Sequence, residues 1–298
     1  MKPTMTLDRV LSRYGLASRT VARRAILAGR MKVNGRTVRD PDVWVSPARD
    51  TFLLDGQRLK PGRKRYLLLY KPKGVITSHG DPAGRETIYK YLREVAPTFR
   101  SARAGLKPSA TLENEWIAPV GRLDKATSGL LLLTNDTEFA DFITAPESGI
   151  PKTYLVKTNA RMSDEVIAQL RAGVEMKRGD LAQPLSVRRR EDRGKYTWLD
   201  VVLTEGKNRE VRRMIEAVGF KVLKLVRTRI GPLTLEGLEV GKWRELSPGE
   251  VAGLRRAASA PGRIRPDIKP ASFFITGRGQ ASTLDSAPST DAAAATKH

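Results

Sequence analysis

The sequence contains no cysteine and only two histidines, His79 and His298. The first absence excludes a disulfide framework and a thiolate metal site. The second leaves no histidine pair at metal-ligand spacing, and it confines any Ser-His-Asp triad to His79, because His298 is the last residue. No apolar run approaches the ~18 residues of a membrane span. The start, "MKPTMTLDRV", has no apolar signal core, and no helix joins a large apolar face to flanking lysines. These absences predict a cytoplasmic protein that engages no membrane. There is no G-x-x-x-x-G-K-[ST] phosphate loop and no Rossmann glycine fingerprint.

Acidic residues are also in short supply. The chain has 298 residues with 54 Lys+Arg against 32 Asp+Glu, a net charge of +22. Such an excess attracts a polyanion, with nucleic acid ahead of an anionic membrane and of a merely soluble basic protein. Hydrophobic residues make up 40% of the chain, and its length suits two ordinary domains and a sizeable core.

Residues 5–63 read as a small basic module. Leu7, Val10, Leu11 and Tyr14 share one helix face, and Gly15 ends that helix. Ser18 can cap a second helix, which stops at Gly29. "MKVNGRTV" then pairs two short strands about Asn34-Gly35, a strong hairpin signal. Residues 1–63 hold 14 Lys and Arg against 5 Asp, net +9. Arg19, Arg23, Arg24 and Arg30 crowd the second helix and its end, and Lys32 lies in the hairpin. Such a set is either a solvated face or a phosphate-contacting surface, and its density favours the second. The segment "LDRVLSRYGLASRTVARRAILAGRMKVNGRTV" resembles the S4 RNA-binding domain, which implies RNA binding without naming the RNA.

"RLKPGRKR" (58–65) reads as a linker, with five positive charges around Pro and Gly. Residues 64–256 mix strands and helices. The strand candidates are "YLLLY", "IAPV", "GLLLLT", "TYLVKT", "YTWLDVVLT" and "KVLKLVRTRI". The helix candidates are 86–95, 135–144, 163–172, 208–218 and 248–256. Asn135 and Glu138 suggest a capping box at one start, and Ser163 a cap at another. Alternation of strand and helix is irregular, so the predicted fold class is α+β with a mixed, largely antiparallel sheet. Residues 97–115 read as a loop or insertion. Residues 257–298 are Ala-, Ser-, Pro- and Thr-rich and are expected to be disordered.

One aspartate stands out. In "GRLDKATSGLLLLTND" (121–136), Asp124 lies in a polar turn at the mouth of the most apolar strand. A turn aspartate is ordinarily a cap or a surface charge. Here Gly121 permits an unusual backbone, Arg122 lies two residues away, and the leucines beyond would hold the turn against the core.

That stretch closely resembles the G-R-L-D-x-x-T-x-G-L-L-L-L-T-x-D signature of the RsuA/RluB/RluE/RluF family of pseudouridine synthases. "PKTYLV" (151–156) matches the family's K-x-Y-x-V strand, and "EGKNREVRRMIEAVGFKVLKLVRTRIGPLTL" (205–235) its late motif. With the S4-like start, the resemblance covers roughly residues 5–255. The chain departs from it at Thr137, where Gly is common, at Glu210, where many members have Gln, and in a longer 97–115 loop.

The resemblance implies an enzyme that breaks the bond between uracil N1 and ribose C1′, turns the base, and rejoins it through C5. Nothing is added or removed overall, so no cofactor and no metal is expected. It assigns the catalytic role to Asp124, as nucleophile or as an aid to elimination, and pairs it with Arg212. At about 100° per residue, Arg212 lies roughly 60° beyond Ile215, on the border of the stripe of Val211, Met214, Ile215 and Val218, while Arg213 points away. Tyr154, otherwise a plain strand tyrosine, would stack beneath the target uracil. Leu225 or a neighbour would close the pocket. Arg122, Arg209 and Arg213 would meet RNA, with Arg122 filling the gap left by a flipped base. The implied partner is ribosomal RNA or a pre-ribosomal particle bound by a monomer, 23S in the large-subunit RluB type and 16S in the small-subunit RsuA type. A tRNA-directed synthase and a non-catalytic rRNA assembly factor are the competing readings.

Overall fold

The structure is a computed structural model that describes residues 4–92, 116–177 and 179–259. The expected 97–115 loop and residues 260–298 of the expected tail lie outside the described residues. The N-terminal module contains β1 (Met5–Thr6), α1 (Leu7–Arg13), α2 (Arg19–Leu27), β2 (Met31–Val33), β3 (Arg36–Val38), β4 (Trp44–Val45), β5 (Phe52–Leu54) and β6 (Gln57–Arg58). Its two helices pack through Leu7, Val10, Leu11, Ala22 and Ile26 onto Met31, Val45 and Phe52, a core of their own. Ser18 Oγ caps α2 at Val21 N, 3.3 Å away. Asn34 at φ 51° and Gly35 at φ 83° turn the β2–β3 hairpin.

The larger unit holds β7 (Tyr66–Lys71), a 3₁₀ turn (Ile88–Leu92), β8 (Ala118–Pro119), β9 (Ser128–Thr134), α3 (Thr137–Thr144), β10 (Lys152–Thr158), α4 (Asp164–Ala172), β11 (Val174–Glu175), β12 (Leu181–Ala182), β13 (Ser186–Arg193), β14 (Tyr196–Leu203), α5 (Glu210–Ala217), β15 (Val222–Ile230), β16 (Leu233–Thr234), β17 (Trp243–Glu245) and α6 (Pro248–Ser259). Its main sheet runs β13-β14-β10-β15-β9-β7-β17, with β16 on β15 and β8 on β9. The ladders are antiparallel except β9 with β15. An α+β fold with a mixed, largely antiparallel sheet is thus what the sequence folds into.

Leu130 to Leu133 are consecutive and fully buried because both faces of β9 are covered. Leu130 and Leu132 meet Phe139 and Ile143 of α3 and Leu254 of α6. Leu131 and Leu133 meet Ile88 and Leu92 on the other side. Each fully buried leucine contributes roughly 1.5–3 kcal/mol, so this strand is a rigid mount. A second packed layer joins Val156, Val201 and Leu225 to Ile167 and Leu170 of α4 and Val211, Met214 and Ile215 of α5.

Several elements differ from the sequence reading. The 86–95 helix is a 3₁₀ turn at Ile88–Leu92, and its last residues lie outside the described ones. The cap of α3 is Asp136, whose Oδ1 accepts from Phe139 N at 3.3 Å, and not Asn135. Asn135 is engaged elsewhere: it accepts from Arg65 N at 2.8 Å and donates to Arg63 O at 2.7 Å. Glu138 instead pairs with Arg13 of the small module. The 58–65 linker is thereby tied to both units, since Gly62 N also donates to Tyr14 O at 2.9 Å. The charged strand β13, "SVRRREDR", escaped the apolar pattern because it lies at the sheet edge. The helix α6 starts at Pro248 and runs to Ser259, past the expected start of the tail at 257.

Gly129 decides how β9 meets β15. It has φ 115°, and a Cβ there would lie 2.3 Å from Arg227 O and 2.5 Å from Arg227 N, both backbone. Gly121, at φ 72°, has nothing within 4 Å of a built Cβ. Gly129→Ala combines overpacking with strain and should cost about 3 kcal/mol or more, lowering Tm by about 6–12 °C. Gly121→Ala carries strain alone and should cost about 1–2 kcal/mol. Thermal melts of both variants check this; equal losses would mean that the close approach of the strands is not what Gly129 serves.

Candidate active site

The 121–128 turn is held by its own main chain. Thr77 Oγ1 donates to Leu123 O at 2.9 Å. Lys71 Nζ donates to Asp124 O at 3.2 Å, Thr127 O at 2.8 Å and Pro72 O at 3.0 Å. Gly74 N donates to Lys125 O at 2.7 Å, and Thr127 N to Asp124 O at 3.0 Å. Arg212 Nη2 donates to Ala126 O at 3.0 Å. Every carbonyl from Leu123 to Thr127 is therefore occupied, while Leu123 is buried in the core beneath. The half-buried Asp124 carboxylate accepts no hydrogen bond among the described residues. A carboxylate placed by its backbone and left without an internal partner is available to a ligand.

Lys71 is fully buried at the end of β7. Burial pushes its pKa down to about 8, against the pull of the Asp124 charge. It is therefore largely an ammonium at neutral pH, satisfied by the three carbonyls. Arg212 is also buried, and burial together with Arg209 lowers its pKa while Asp124 and Glu216 raise it. The expected salt bridge between Arg212 and Asp124 does not form. The guanidinium is committed to Ala126 O and, at 3.3 Å, to Val222 O, so it acts on the carboxylate through the turn and through its field.

A cavity of about 680 Å³ opens beside this turn, within the range of ligand sites. The strands β9 and β15 pair at Ser128↔Val226 and Gly129↔Arg227 and then part. Val120 and Leu132 line one wall of the gap, and Leu225, Arg227 and Ile230 the other. Arg122, Asp124, Tyr154, Lys152, Arg209 and Glu210 also face it. Tyr154 sits at a bulge between β10 and β15, where register shifts after Thr153 and re-aims the side chain. The ring packs on the layer that contains Leu225, and its hydroxyl makes no hydrogen bond among the described residues.

The structure thus gathers Asp124, Tyr154, Leu225, Arg122 and Arg209 around one cavity. Arg122 and Arg209 are exposed and have no acidic partner among the described residues. Arg209 lies at φ 49° as the residue before α5. Arg213 is not at the cavity: its Nη2 donates to Lys177 O at 2.8 Å and meets Asp180 at 2.5 Å, so the expected phosphate contact is replaced by an internal ion pair. In the small module the expected phosphate set narrows. Asp8 is fully buried and accepts from Thr6 at 2.6 Å, Arg19 at 2.9 Å and Arg23 at 3.3 Å. Burial opposes its charge, yet these donors hold its pKa below the usual value. Arg23 also pairs with Asp42, and Arg30 with Asp55. Arg24 and Lys32 are exposed with no acidic partner among the described residues.

Sequence reasoning missed Lys71, Lys152 and Arg227. Lys152 Nζ donates to Thr204 O at 2.9 Å, and burial, aided by Arg227, lowers its pKa to about 8. Arg227 Nε donates to Leu130 O at 2.8 Å across the β9–β15 junction. The available signal was a lysine or arginine continuing an otherwise apolar strand. Glu210 is buried; desolvation and Glu205 raise its pKa, and Oε2 accepts from Lys207 N at 3.2 Å. His79 lies away from the cavity, stacked between Tyr89 at 4.2 Å and Trp116 at 3.8 Å, and burial lowers its pKa to about 4. It assembles no triad.

The chain is similar to known proteins over most of its length. The family model for RNA pseudouridylate synthase matches residues 65–217, and that for the S4 domain residues 5–48. The chain is 39% identical to an uncharacterized RNA pseudouridine synthase of Aquifex aeolicus over 84% of its own length and 94% of the relative. It is 36% identical to ribosomal large subunit pseudouridine synthase B of Bacillus subtilis, over 85% of this chain and 96% of that one. The corresponding Escherichia coli K12 protein is also 36% identical, over 86% and 84%. A crystal structure of a pseudouridylate synthase superposes with a TM-score of 0.57 at 27% identity, covering 84% of this chain and 99% of that one. With a family model matched over residues 65–217 and relatives 36–39% identical over most of their length, the chain belongs to the RNA pseudouridylate synthase family.

Proposed function

We propose that this protein isomerises a uridine of large-subunit ribosomal RNA, 23S, to pseudouridine, acting as a monomer in the cytoplasm on rRNA or a pre-ribosomal particle. The observation that carries the reading is the Asp124 carboxylate, held by an immobilised turn at the wall of a cavity and accepting no hydrogen bond among the described residues. Relatives named for the large subunit, matched over most of their length, support the choice of RNA.

In this reading, the uridine leaves its stack and enters the gap between β9 and β15. Tyr154 stacks on the uracil, and Leu225 packs the pocket wall. Asp124 meets the ribose or the base as the N1–C1′ bond breaks. The uracil turns, the C5–C1′ bond forms, C5 loses its proton, and N1 gains one. Arg122, exposed in the same turn, fills the vacated stack or grips the flanking phosphate. Lys71 and Arg212 keep the turn in place and supply positive charge near Asp124. Arg24 and Lys32 add phosphate contacts from the S4 module.

Asp124→Asn keeps the shape of the side chain and should melt like the parent, yet release no tritium from rRNA carrying C5-labelled uridine. Turnover within tenfold of the parent would sink the assignment.

The two adjacent arginines separate cleanly. Arg212→Ala strips hydrogen bonds from two carbonyls, each worth about 1–3 kcal/mol when buried, and loosens the turn. Its single-turnover rate at saturating RNA should fall by orders of magnitude. Arg213→Ala removes a partly exposed ion pair worth about 0–1 kcal/mol and should leave that rate nearly intact. The reverse ordering contradicts the placement of Arg212 behind the turn.

A further inference from the structure

Beyond the cations at the cavity and in the S4 module, a further group of lysines has no acidic partner among the described residues. Lys73, Lys157, Lys195 and Lys224 have no acidic partner among the described residues, and none lines the cavity. Lys157 on β10 stands opposite Lys224 on β15 in the ladder. Like charges so placed destabilise a sheet. Burial lowers the Lys224 pKa, and the nearby charges of Lys157 and then Lys73 lower it further. The ammonium groups are instead held by rings: Lys157 Nζ lies 3.9 Å from the centroid of Tyr196 and 5.6 Å from that of Trp198. Lys224 lies 5.9 Å from Trp198, and Lys195 5.8 Å from Tyr196.

These residues lie on adjacent strand ends. From β14 through β10, β15 and β9 to the end of β7 there are four interstrand steps, or ~19 Å at about 4.8 Å each. The β7 end of this row reaches the active-site turn, because Gly74 N bonds Lys125 O next to Asp124. The row is a line of point charges leading away from the carboxylate, three of them held over rings. Its geometry suits a chain of phosphates, to which lysine binds as a point charge. The rings restrain the ammonium groups and leave their N–H donors to the partner.

We propose that this lysine row, Lys73–Lys224–Lys157–Lys195, binds the phosphate backbone of the RNA strand that flanks the target uridine, a contact separate from those of the S4 module. It rests on the reading of the Asp124 cavity as the site of uridine isomerisation. The test is a variant with Lys157→Gln, Lys195→Gln and Lys224→Gln, compared with a control carrying Lys90→Gln, Lys177→Gln and Lys242→Gln, three exposed lysines elsewhere with the same change of charge. Affinity for a 23S rRNA transcript is measured against salt, together with the single-turnover rate at saturating transcript. Each single-strand phosphate contact contributes about 0.7 to the slope of log affinity on log salt. The row variant should therefore lose about 2 from the slope and bind 10- to 100-fold more weakly at low salt. Its melting temperature should not fall, and its saturated rate should stay within threefold of the parent. The control should lose clearly less. An unchanged slope, or an equal loss in the control, overturns the proposal. So does loss of binding to polyglutamate with RNA binding intact, which would mark the row as a protein-docking surface. A parent protein that binds the transcript but forms no pseudouridine in it overturns the functional reading instead, while the slopes still judge the row.

Discussion

A single buried ammonium organises the turn that carries Asp124. Lys71 ends a strand in which Leu67, Leu68 and Leu69 are fully buried, and its Nζ meets the carbonyls of Pro72, Asp124 and Thr127. Removing a charge from water costs several kcal/mol, and only good hydrogen-bond geometry offsets that cost. The arrangement is therefore demanding: the turn must present its carbonyls inward for the lysine to be tolerated. Once they point inward, the Asp124 side chain is left to face the cavity. That is why a carboxylate stands at the mouth of the most apolar strand. The leucines supply the mount, the lysine fixes the turn, and Arg212 closes it from the far side through Ala126 O.

The cavity depends on the same region. Gly129 lets β9 touch the backbone of β15 at Arg227, and the strands then diverge. Arg227 reaches back across the junction to Leu130 O. A tight contact next to an opening places Asp124 on one side of the gap and Tyr154 and Leu225 on the other. The S4 module is fixed to this frame through Asn135, the 58–65 segment and the Arg13–Glu138 pair. Trp116 N adds a hydrogen bond of 2.6 Å to Gly15 O.

Much of this was legible in the sequence, and the reasons are specific. Periodicity found α1, a serine cap and a glycine stop found α2, an Asn-Gly pair found the hairpin, and runs of branched and aromatic residues found β7, β9, β10, β14 and β15. The helix phase of α5 put Arg212 at the buried border, where it lies. What escaped was what depends on partners distant in sequence. Asn135 looks like a cap until Arg63 and Arg65 are seen to claim it. Arg19, Arg23, Arg30 and Arg213 look like free cations until Asp8, Asp42, Asp55 and Asp180 fold against them. The Arg212–Asp124 pair was expected as a contact and is replaced by a bond to the backbone two residues on. Lys71 went unmarked because a lysine after an apolar strand reads as the place where the chain returns to water.

The central claim is that the Lys71 clamp on the 124–127 turn places the Asp124 carboxylate, and the single-turnover rate of Lys71→Met at saturating rRNA tests it most directly. Methionine fills the space but leaves the carbonyls of Pro72 and Thr127 without the lysine donor and that of Asp124 with Thr127 N alone, so the turn should relax. A displacement of about 1 Å at a reacting group can cost on the order of 100-fold in rate. The account predicts a fall of at least that order, with RNA affinity within about threefold of the parent. A folded Lys71→Met protein that forms pseudouridine within threefold of the parental rate would contradict it.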